Sequence, residues 1–431
     1  MRAIAGFAFC FVFSSLFAAT NIVRTNDPFC ELPLTNVYKQ GSGTLRMVAR
    51  LEEIRRTADP KATIYFNREM LPGLRQAQAA TTNAEQLLSI RAEYATQLLR
   101  AGLSAEAVQE FNALGQFVRE KNLRLSAENA AFLQLERALA YLRVGEQENC
   151  LLNHTADSCL FPIQGTGVHQ LPRGSRGAVN ALGAMLHQNS RDLGARWLLN
   201  IAYMTLGEYP DKVPKDFLIP PSVFASDYDL PRFPEAAGAA GVDVDDLAGG
   251  CIAEDFDGDG LLDIMASSWG LSGQLRFFHN NGDGTFSERT DKAGLLGLTG
   301  ALNLLSTDYN NDGHIDVLML RGAWLGKGGH HPNSLLRNNG DGTFEDVTEE
   351  AGLLSFHPTQ TATWFDFDGD GWIDLFIGNE SSGTEQHPCE LYRNNGNGTF
   401  TECAAASGVG ATGFIKGVGS GDFNNDGRPD L

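Results

Sequence analysis

From about residue 44 to residue 208 the apolar positions follow helical periods. Leu88, Ala92, Ala95 and Leu99 are spaced by four, three and four, which places them along one helix face. Ahead of that stripe, Thr82-Asn83-Ala84-Glu85 carries the capping-box pattern that starts a helix, and further helices are predicted to begin near Ser104 and Ser126. The string from Ala140 to Glu146 returns from Ala202 to Glu208. It is an internal repeat in which Gly145 and Gly207 stand where a left-handed C-cap ends a helix. Six prolines (Pro210, Pro214, Pro220, Pro221, Pro231, Pro234) then fall within 25 residues, which no helix or central strand could carry. Residues 209–232 are therefore expected to be an interdomain linker, or a strap lying on the following domain. From about Phe233 short apolar runs, such as Ile264-Met265 and Leu375-Phe376-Ile377, alternate with Gly, Asn and Asp clusters, the pattern of strands joined by tight turns.

Two motifs alternate through that second half. The acidic one spans Asp255 to Asp263 and returns at Asp308 to Asp316, Asp366 to Asp374 and Asp422 to Asp430, offset by 53, 58 and 56 residues. Between the copies lies Asn-Asn-Gly-Asp/Asn-Gly-Thr-Phe, at Asn280 to Phe286, Asn338 to Phe344 and Asn394 to Phe400. Its Asn-Gly pairs are strong hairpin signals. A small-Gly-apolar marker follows each hairpin, at Ala293-Gly294-Leu295, Ala351-Gly352-Leu353 and Ser407-Gly408-Val409, and Gly241-Val242 supplies it before the first copy.

In the acidic motif positions 1, 3, 5 and 9 are Asp or Asn in every copy and position 6 is Gly. Four oxygen-bearing side chains within nine residues would repel one another without a cation. Ligands at positions 1, 3 and 5, with a turn at 6 and a backbone carbonyl at 7, are how a short segment wraps calcium. An EF-hand is excluded, because position 12 is Ala266, Met319 and Ile377 where a bidentate Glu is needed, and the flanks read as strands.

Composition sharpens this. The 431 residues carry Lys+Arg 33 against Asp+Glu 53, a net charge of -20, which disfavours nucleic acid and anionic membranes as partners. The four loops hold fourteen acidic residues, so most of the excess charge is local and chelating. Residues 42% apolar and 9% aromatic are enough to build packed cores in two or three domains.

Met1-Arg2, the apolar run from Ala3 to Ala19 and the small residues Ala18-Ala19-Thr20 read as a signal peptide over residues 1–20, with an uncleaved membrane anchor as the alternative. An exported chain, periplasmic, cell-surface or secreted, favours disulfides. Cys10 lies in the leader, leaving Cys30, Cys150, Cys159, Cys251, Cys389 and Cys403. Cys150 with Cys159 would close a short loop, Cys389 with Cys403 would face across a hairpin, and Cys30 with Cys251 is left by elimination. The rival reading makes a metal site of Cys150, His154, Cys159 and His169, although the spacing fits no common zinc pattern.

The acidic loop with its hairpin resembles the FG-GAP or VCBS repeat of integrin-α-type β-propellers, in an arrangement similar to the ASPIC and UnbV family related to cartilage acidic protein. The resemblance covers about residues 233–431. It implies a fold in which each repeat is a four-stranded blade and the calcium loop joins two of its strands. It also implies up to four calcium ions. Their ligands would be Asp255, Asp257, Asp259 and Asp263; Asp308, Asn310, Asp312 and Asp316; Asp366, Asp368, Asp370 and Asp374; and Asp422, Asn424, Asp426 and Asp430. Leu261, His314, Trp372 and Arg428 would give carbonyls only. Because closure takes typically 4 to 8 blades and the sequence stops at Leu431, right after a loop, a truncated propeller is expected. The small-aromatic-Gly pattern of residues 44–208 resembles tetratricopeptide helical pairs, with residues 150–173 as an inserted loop; a generic helix bundle is the alternative.

The whole is thus expected to be α+β and multidomain, a helical repeat domain followed by propeller blades. Its expected role is an exported, calcium-stiffened module that binds a protein or glycan. A propeller-scaffold enzyme, a polysaccharide lyase or hydrolase, is the alternative. No Gly-x-Ser-x-Gly or His-Glu-x-x-His occurs, and repetition itself argues against a single active site. The non-repeated features are Trp324, His330 and His331 in one insertion and Cys150 to His169 in another, which would meet if the proline-rich segment folds the halves together. His331-Pro332 and His387-Pro388 both precede their Asn-Asn turn by seven residues, which favours a framework role for those histidines.

Overall fold

A computed structural model describes residues 40–431, apart from 152–154, 156, 159 and 229–232. The leader expected over residues 1–20, Cys10, Cys30, His154, Cys159 and Pro231 lie outside the described residues. No helix among the described residues is long and apolar enough to cross a membrane.

The helical half contains α1 (Ser42–Thr57), α2 (Asn67–Ala80), α3 (Ala84–Arg100), α4 (Ser104–Glu120), α5 (Ala127–Glu146), α6 (Arg173–Gln188) and α7 (Leu193–Thr205). From α2 onward each helix packs on its chain neighbour. Leu88, Ala95, Leu98, Phe111 and Leu114 build one core, and Leu182, Leu186, Leu199 and Ala202 the next. Ser126 caps α5 by accepting from the Asn129 amide, as its position predicts. At α3 the cap is Asn83 and not Thr82: Asn83 is the extended residue whose side chain reaches the Gln86 amide. Gly207 takes the left-handed conformation at φ 65°. Gly145 does not; it stays inside α5, and the chain continues into a π turn at Gln147–Leu151. It serves packing: a Cβ on Gly145 would come within 3.3 Å of His169 and Ser175, and Gly174 of α6 abuts the Gly145 backbone so closely that a Cβ on Gly174 would overlap it.

The proline-rich segment lies back on α6 and α7. Phe217 joins their core, Asn200 Nδ2 donates to the Phe217 carbonyl at 2.9 Å, and Arg196 Nε donates to the same oxygen at 3.1 Å.

The second half forms three four-stranded antiparallel sheets, each a simple meander. They are β1 (Cys251–Glu254), β2 (Asp263–Ala266), β3 (Arg276–Asn280) and β4 (Phe286–Glu288); β5 (Ala301–Thr307), β6 (Asp316–Arg321), β7 (Ser334–Asn338) and β8 (Phe344–Asp346); and β9 (Thr359–Phe365), β10 (Asp374–Asn379), β11 (Glu390–Asn394) and β12 (Phe400–Glu402). Met265, Phe277, Leu304 and Met319 pack between the first and second sheets. Leu318, Leu335, Leu375 and Ile377 pack between the second and third. In a meander the connections from first to second and third to fourth strand share one end, so the acidic loops and Asn-Asn-Gly hairpins stand together there. The other connections, 267–275, 322–333 and 380–389, stand at the opposite end.

Helix α1 belongs to the sheets and not to the bundle. Met47 and Leu51 enter the core between the first two sheets, and the Asp346 amide donates to Thr44 Oγ1 at 3.0 Å. Gln40 Nε2 donates to the Leu296 carbonyl at 2.8 Å.

Cys389 and Cys403 are free thiols sharing one apolar cluster, which corrects the expected disulfide. The β11–β12 register pairs Tyr392 with Glu402, and the Cys403 amide donates to the Leu391 carbonyl. Cys389 is therefore diagonal to Cys403, at the ~7–8 Å of diagonal neighbours where a disulfide needs Cα atoms about 4.4–6.8 Å apart.

Candidate metal centres

All four acidic loops close in the same way. The position-1 carboxylate accepts the backbone N–H groups that follow it: Asp255 accepts from Gly258 at 2.9 Å and Gly260 at 2.9 Å, and Asp366 from Gly369 at 2.8 Å and Gly371 at 2.9 Å. Asp308 and Asp422 accept from Gly313 and Gly427, each at 2.8 Å. The position-5 carboxylate accepts the position-7 amide, from Asp259 and Leu261 through to Asp426 and Arg428. Position 4, which the sequence reading passed over, is left-handed in every copy: Gly258, Asn311, Gly369 and Asn425. The signal was present, because only Gly and Asn occur there and both tolerate that conformation.

Position 9 opens the second strand of each sheet and is fully buried at Asp263, Asp316 and Asp374. Both oxygens are engaged. Asp316 Oδ1 accepts from the Asn338 amide at 2.8 Å and Oδ2 from the Tyr309 amide at 3.2 Å. Asp374 makes the equivalent pair with Asn394 at 2.7 Å and Phe367 at 3.0 Å. Burial, with smaller repulsion from the neighbouring loop carboxylates, raises all three carboxyls against the pull of these hydrogen bonds, Asp316 to about 7 and Asp374 to about 6. A cation among them would turn that repulsion into attraction.

The first and third loops bring part of their expected side chains together. Oxygens of Asp255, Asp257 and Asp259, and of Asp366, Asp368 and Asp374, lie within 4.8 Å of one another and could hold a metal ion. In the second and fourth loops Asn310 and Asn424 turn Nδ2 to Asp312 and Asp426 at 2.8 and 3.2 Å. The first loop has an unforeseen neighbour, His279, whose Nδ1 is 3.1 Å from Asp257 and 3.3 Å from Asp263. The position-7 side chains of Leu261, His314 and Trp372 rest on Gly282, Gly340 and Gly396 of the following hairpin.

The two motifs are one unit, and it stitches the sheets. Asn338 Nδ2 donates to the position-8 carbonyl of its own repeat, Ile315, at 3.1 Å and to Phe256 of the preceding repeat at 2.8 Å. Asn394 does the same with Ile373 at 3.0 Å and Tyr309 at 2.8 Å. The third marker adds a link, since the Phe344 and Phe400 amides donate to the Ala293 and Ala351 carbonyls. Gly294 and Gly352, at φ 75° and 78°, turn the chain where a Cβ would press on those phenylalanine carbonyls.

The non-repeated features fall into separate clusters. His169 Nδ1 is 3.0 Å from Ser175 Oγ and its Nε2 is 3.7 Å from Cys150 Sγ. Trp324 lines a groove of about 260 Å³ with Tyr65, Trp269, Leu302, Ala323 and Leu325. Lys416 Nζ stands 3.4 Å above the Trp324 ring, and the Trp324 amide donates to Glu380 at 2.6 Å. His331 is buried, three residues before β7, as His387 is before β11.

Residues 255–319, 308–377 and 366–431 match the FG-GAP-like repeat. The chain is also similar to cartilage acidic protein 1 of Mus musculus, 25% identical over 201 residues that are 42% of this chain and 30% of that protein. With cartilage acidic protein 1 of Homo sapiens it is 28% identical over 162 residues, 36% of this chain and 23% of that protein. The match thus spans less than a third of either relative.

Proposed function

We propose that the three sheets are blades of a β-propeller stiffened by calcium at the acidic loops, and that the protein is an exported binding module for a protein or glycan. The observation that carries this reading is the shared closure of four loops on carboxylate oxygens, coupled to the asparagines that join one sheet to the next. Asp255, Asp257, Asp259 and Asp263 would hold the ion in the first loop; Asp308, Asn310, Asp312 and Asp316 in the second; Asp366, Asp368, Asp370 and Asp374 in the third; and Asp422, Asn424, Asp426 and Asp430 in the fourth. The backbone carbonyls of Leu261, His314, Trp372 and Arg428 would complete these sites. Bound calcium supplies positive charge that offsets the crowding of carboxylates. The chain's own part is to hold the position-9 carboxylate of each loop in place, and through Asn338 and Asn394 the same groups fix the spacing of the sheets. Helices α2–α7, read as tetratricopeptide-like pairs, would offer a second surface. Export rests on the leader-like residues 1–20.

The test is thermal unfolding in millimolar calcium and in EDTA, at affinities expected near ~10⁻⁴ to 10⁻³ M. Calcium should raise the transition of the sheets, and equal transitions in both would overturn the proposal. For the partner, calcium-dependent retention on a glycan or protein array without turnover supports a binding module. Hydrolase or lyase turnover that Trp324→Ala abolishes would replace it with an enzyme.

A further inference from the structure

We propose that His330, Glu385 and His387 form a second kind of metal site, for a zinc-class divalent transition ion, at the end of the sheets opposite the acidic loops. The three side chains come from two connections, 322–333 before β7 and 380–389 before β11, yet each places a ligand atom within 4.8 Å of the others. His330 Nε2 lies 3.3 Å from Glu385 Oε2, and the His330 and His387 rings stand 5.1 Å apart, edge to face. His387 is 5% exposed, and its Nε2 is buried without a hydrogen-bond partner. An orphaned buried ring nitrogen on a histidine grouped with a carboxylate and a second imidazole is the independent sign of a ligand, because buried polar atoms are nearly always hydrogen-bonded.

His357, on the connection from β8 to β9, supplies the support a metal-binding histidine needs. Its Nδ1 is 2.8 Å from His387 Nδ1. With the proton on His387 Nδ1 and shared with His357, the lone pair on His387 Nε2 is left for an ion, the outer hydrogen bond that fixes tautomer and ring orientation at many metal sites. The loop is held in place as well. Ser381 Oγ accepts the His387 amide at 2.8 Å and donates to the His387 carbonyl at 3.0 Å, while Ser382 and Glu385 exchange backbone hydrogen bonds across the turn.

The donor set decides the ion. Two imidazoles and one carboxylate suit zinc and its neighbours, whereas calcium takes oxygen ligands. The His330 side chain is 45% exposed and that of Glu385 32%, so the site is open to solvent on one side and keeps a coordination position for water or a partner's group. Histidine, not repeated aspartate, is what the sequence places here, and His330 and His357 are additions to the framework position that His387 shares with His331.

The experiment titrates Co²⁺ into the purified full chain, stripped of metal and then saturated with Ca²⁺, and follows the visible absorption, with Zn²⁺ as competitor. One equivalent of Co²⁺ should give a spectrum that Zn²⁺ removes. His330→Ala and Glu385→Gln, both at partly exposed positions that leave folding intact, should each weaken Co²⁺ binding at least tenfold. His357→Gln should weaken it about tenfold as a positioning residue. Asp257→Ala with Asp259→Ala should leave it unchanged. Unaltered Co²⁺ affinity in both His330→Ala and Glu385→Gln would overturn the site. A thiolate-to-cobalt band lost on alkylation would also overturn it, because the ion would then be held by a cysteine and not by this donor set.

Discussion

At the scale of single residues, the acidic loops contain two kinds of aspartate that look alike in sequence. Asp312 is exposed, and water can replace its protein contacts, whereas Asp316 is fully buried with two backbone donors aimed at it. Asp316→Ala should therefore cost about 2–5 kcal/mol even in EDTA, because two buried N–H groups lose their acceptor. Asp312→Ala should cost less than about 0.5 kcal/mol in EDTA and remove only that loop's share of the calcium stabilisation. Urea unfolding of both variants with and without calcium separates the two. If Asp316→Ala matched wild type in EDTA, the buried aspartate would not hold the sheet.

At the scale of elements, α6 and the strap after α7 are joined through one carboxylate. Glu208 accepts from both terminal nitrogens of Arg176 at 2.7 Å and from Lys212 at 2.8 Å, and these hydrogen bonds hold its carboxyl down at about 2. A carboxyl lowered on folding contributes stability that is complete above its ordinary value near 4.5 and is lost as pH falls toward 2. Arg176 and Lys212 are half or more exposed, so solvent screening leaves about 1 kcal/mol of it. Glu208→Gln should lose about that much at neutral pH, and denaturant midpoints of the two proteins should converge as the pH is lowered to 2. A difference independent of pH would mean that packing, and not charge, matters there. Helix α1 is the second case: Leu51→Ala should cost about 2–5 kcal/mol, and it should lower the calcium-sensitive transition of the sheets, since Leu51 lies in their core.

At the scale of the whole molecule, the meander puts oxygen-rich loops at one end of the sheets and the His330, Glu385 and His387 cluster at the other. Sites that share no side chain should act independently, so the rises in unfolding temperature from Ca²⁺ and Zn²⁺ should add. Scanning calorimetry with each ion alone and with both checks this. Strong interference between the ions would mean that they compete for the acidic loops.

What the sequence determined by itself is what is settled within a few residues along the chain. The acidic loop is such a case, because its carboxylates accept amides three to five residues ahead, so spacing alone prescribes the turn. The strands at Ile264-Met265 and Leu375-Phe376-Ile377, the Ser126 cap and the hairpins follow from the same short-range rules. The pairing of Cys389 with Cys403 failed because it needed the register of β11 on β12, and a two-residue offset separates a bond from a diagonal. Gly145 was misread because a glycine that ends a helix and one that lets another helix approach are the same letter. The attachment of α1 to the sheets spans 302 residues in the hydrogen bond from the Asp346 amide to Thr44. The gathering of His330, His357 and His387 joins three connections. Neither leaves a periodicity to read, because only the packing of sheet on sheet brings those positions together.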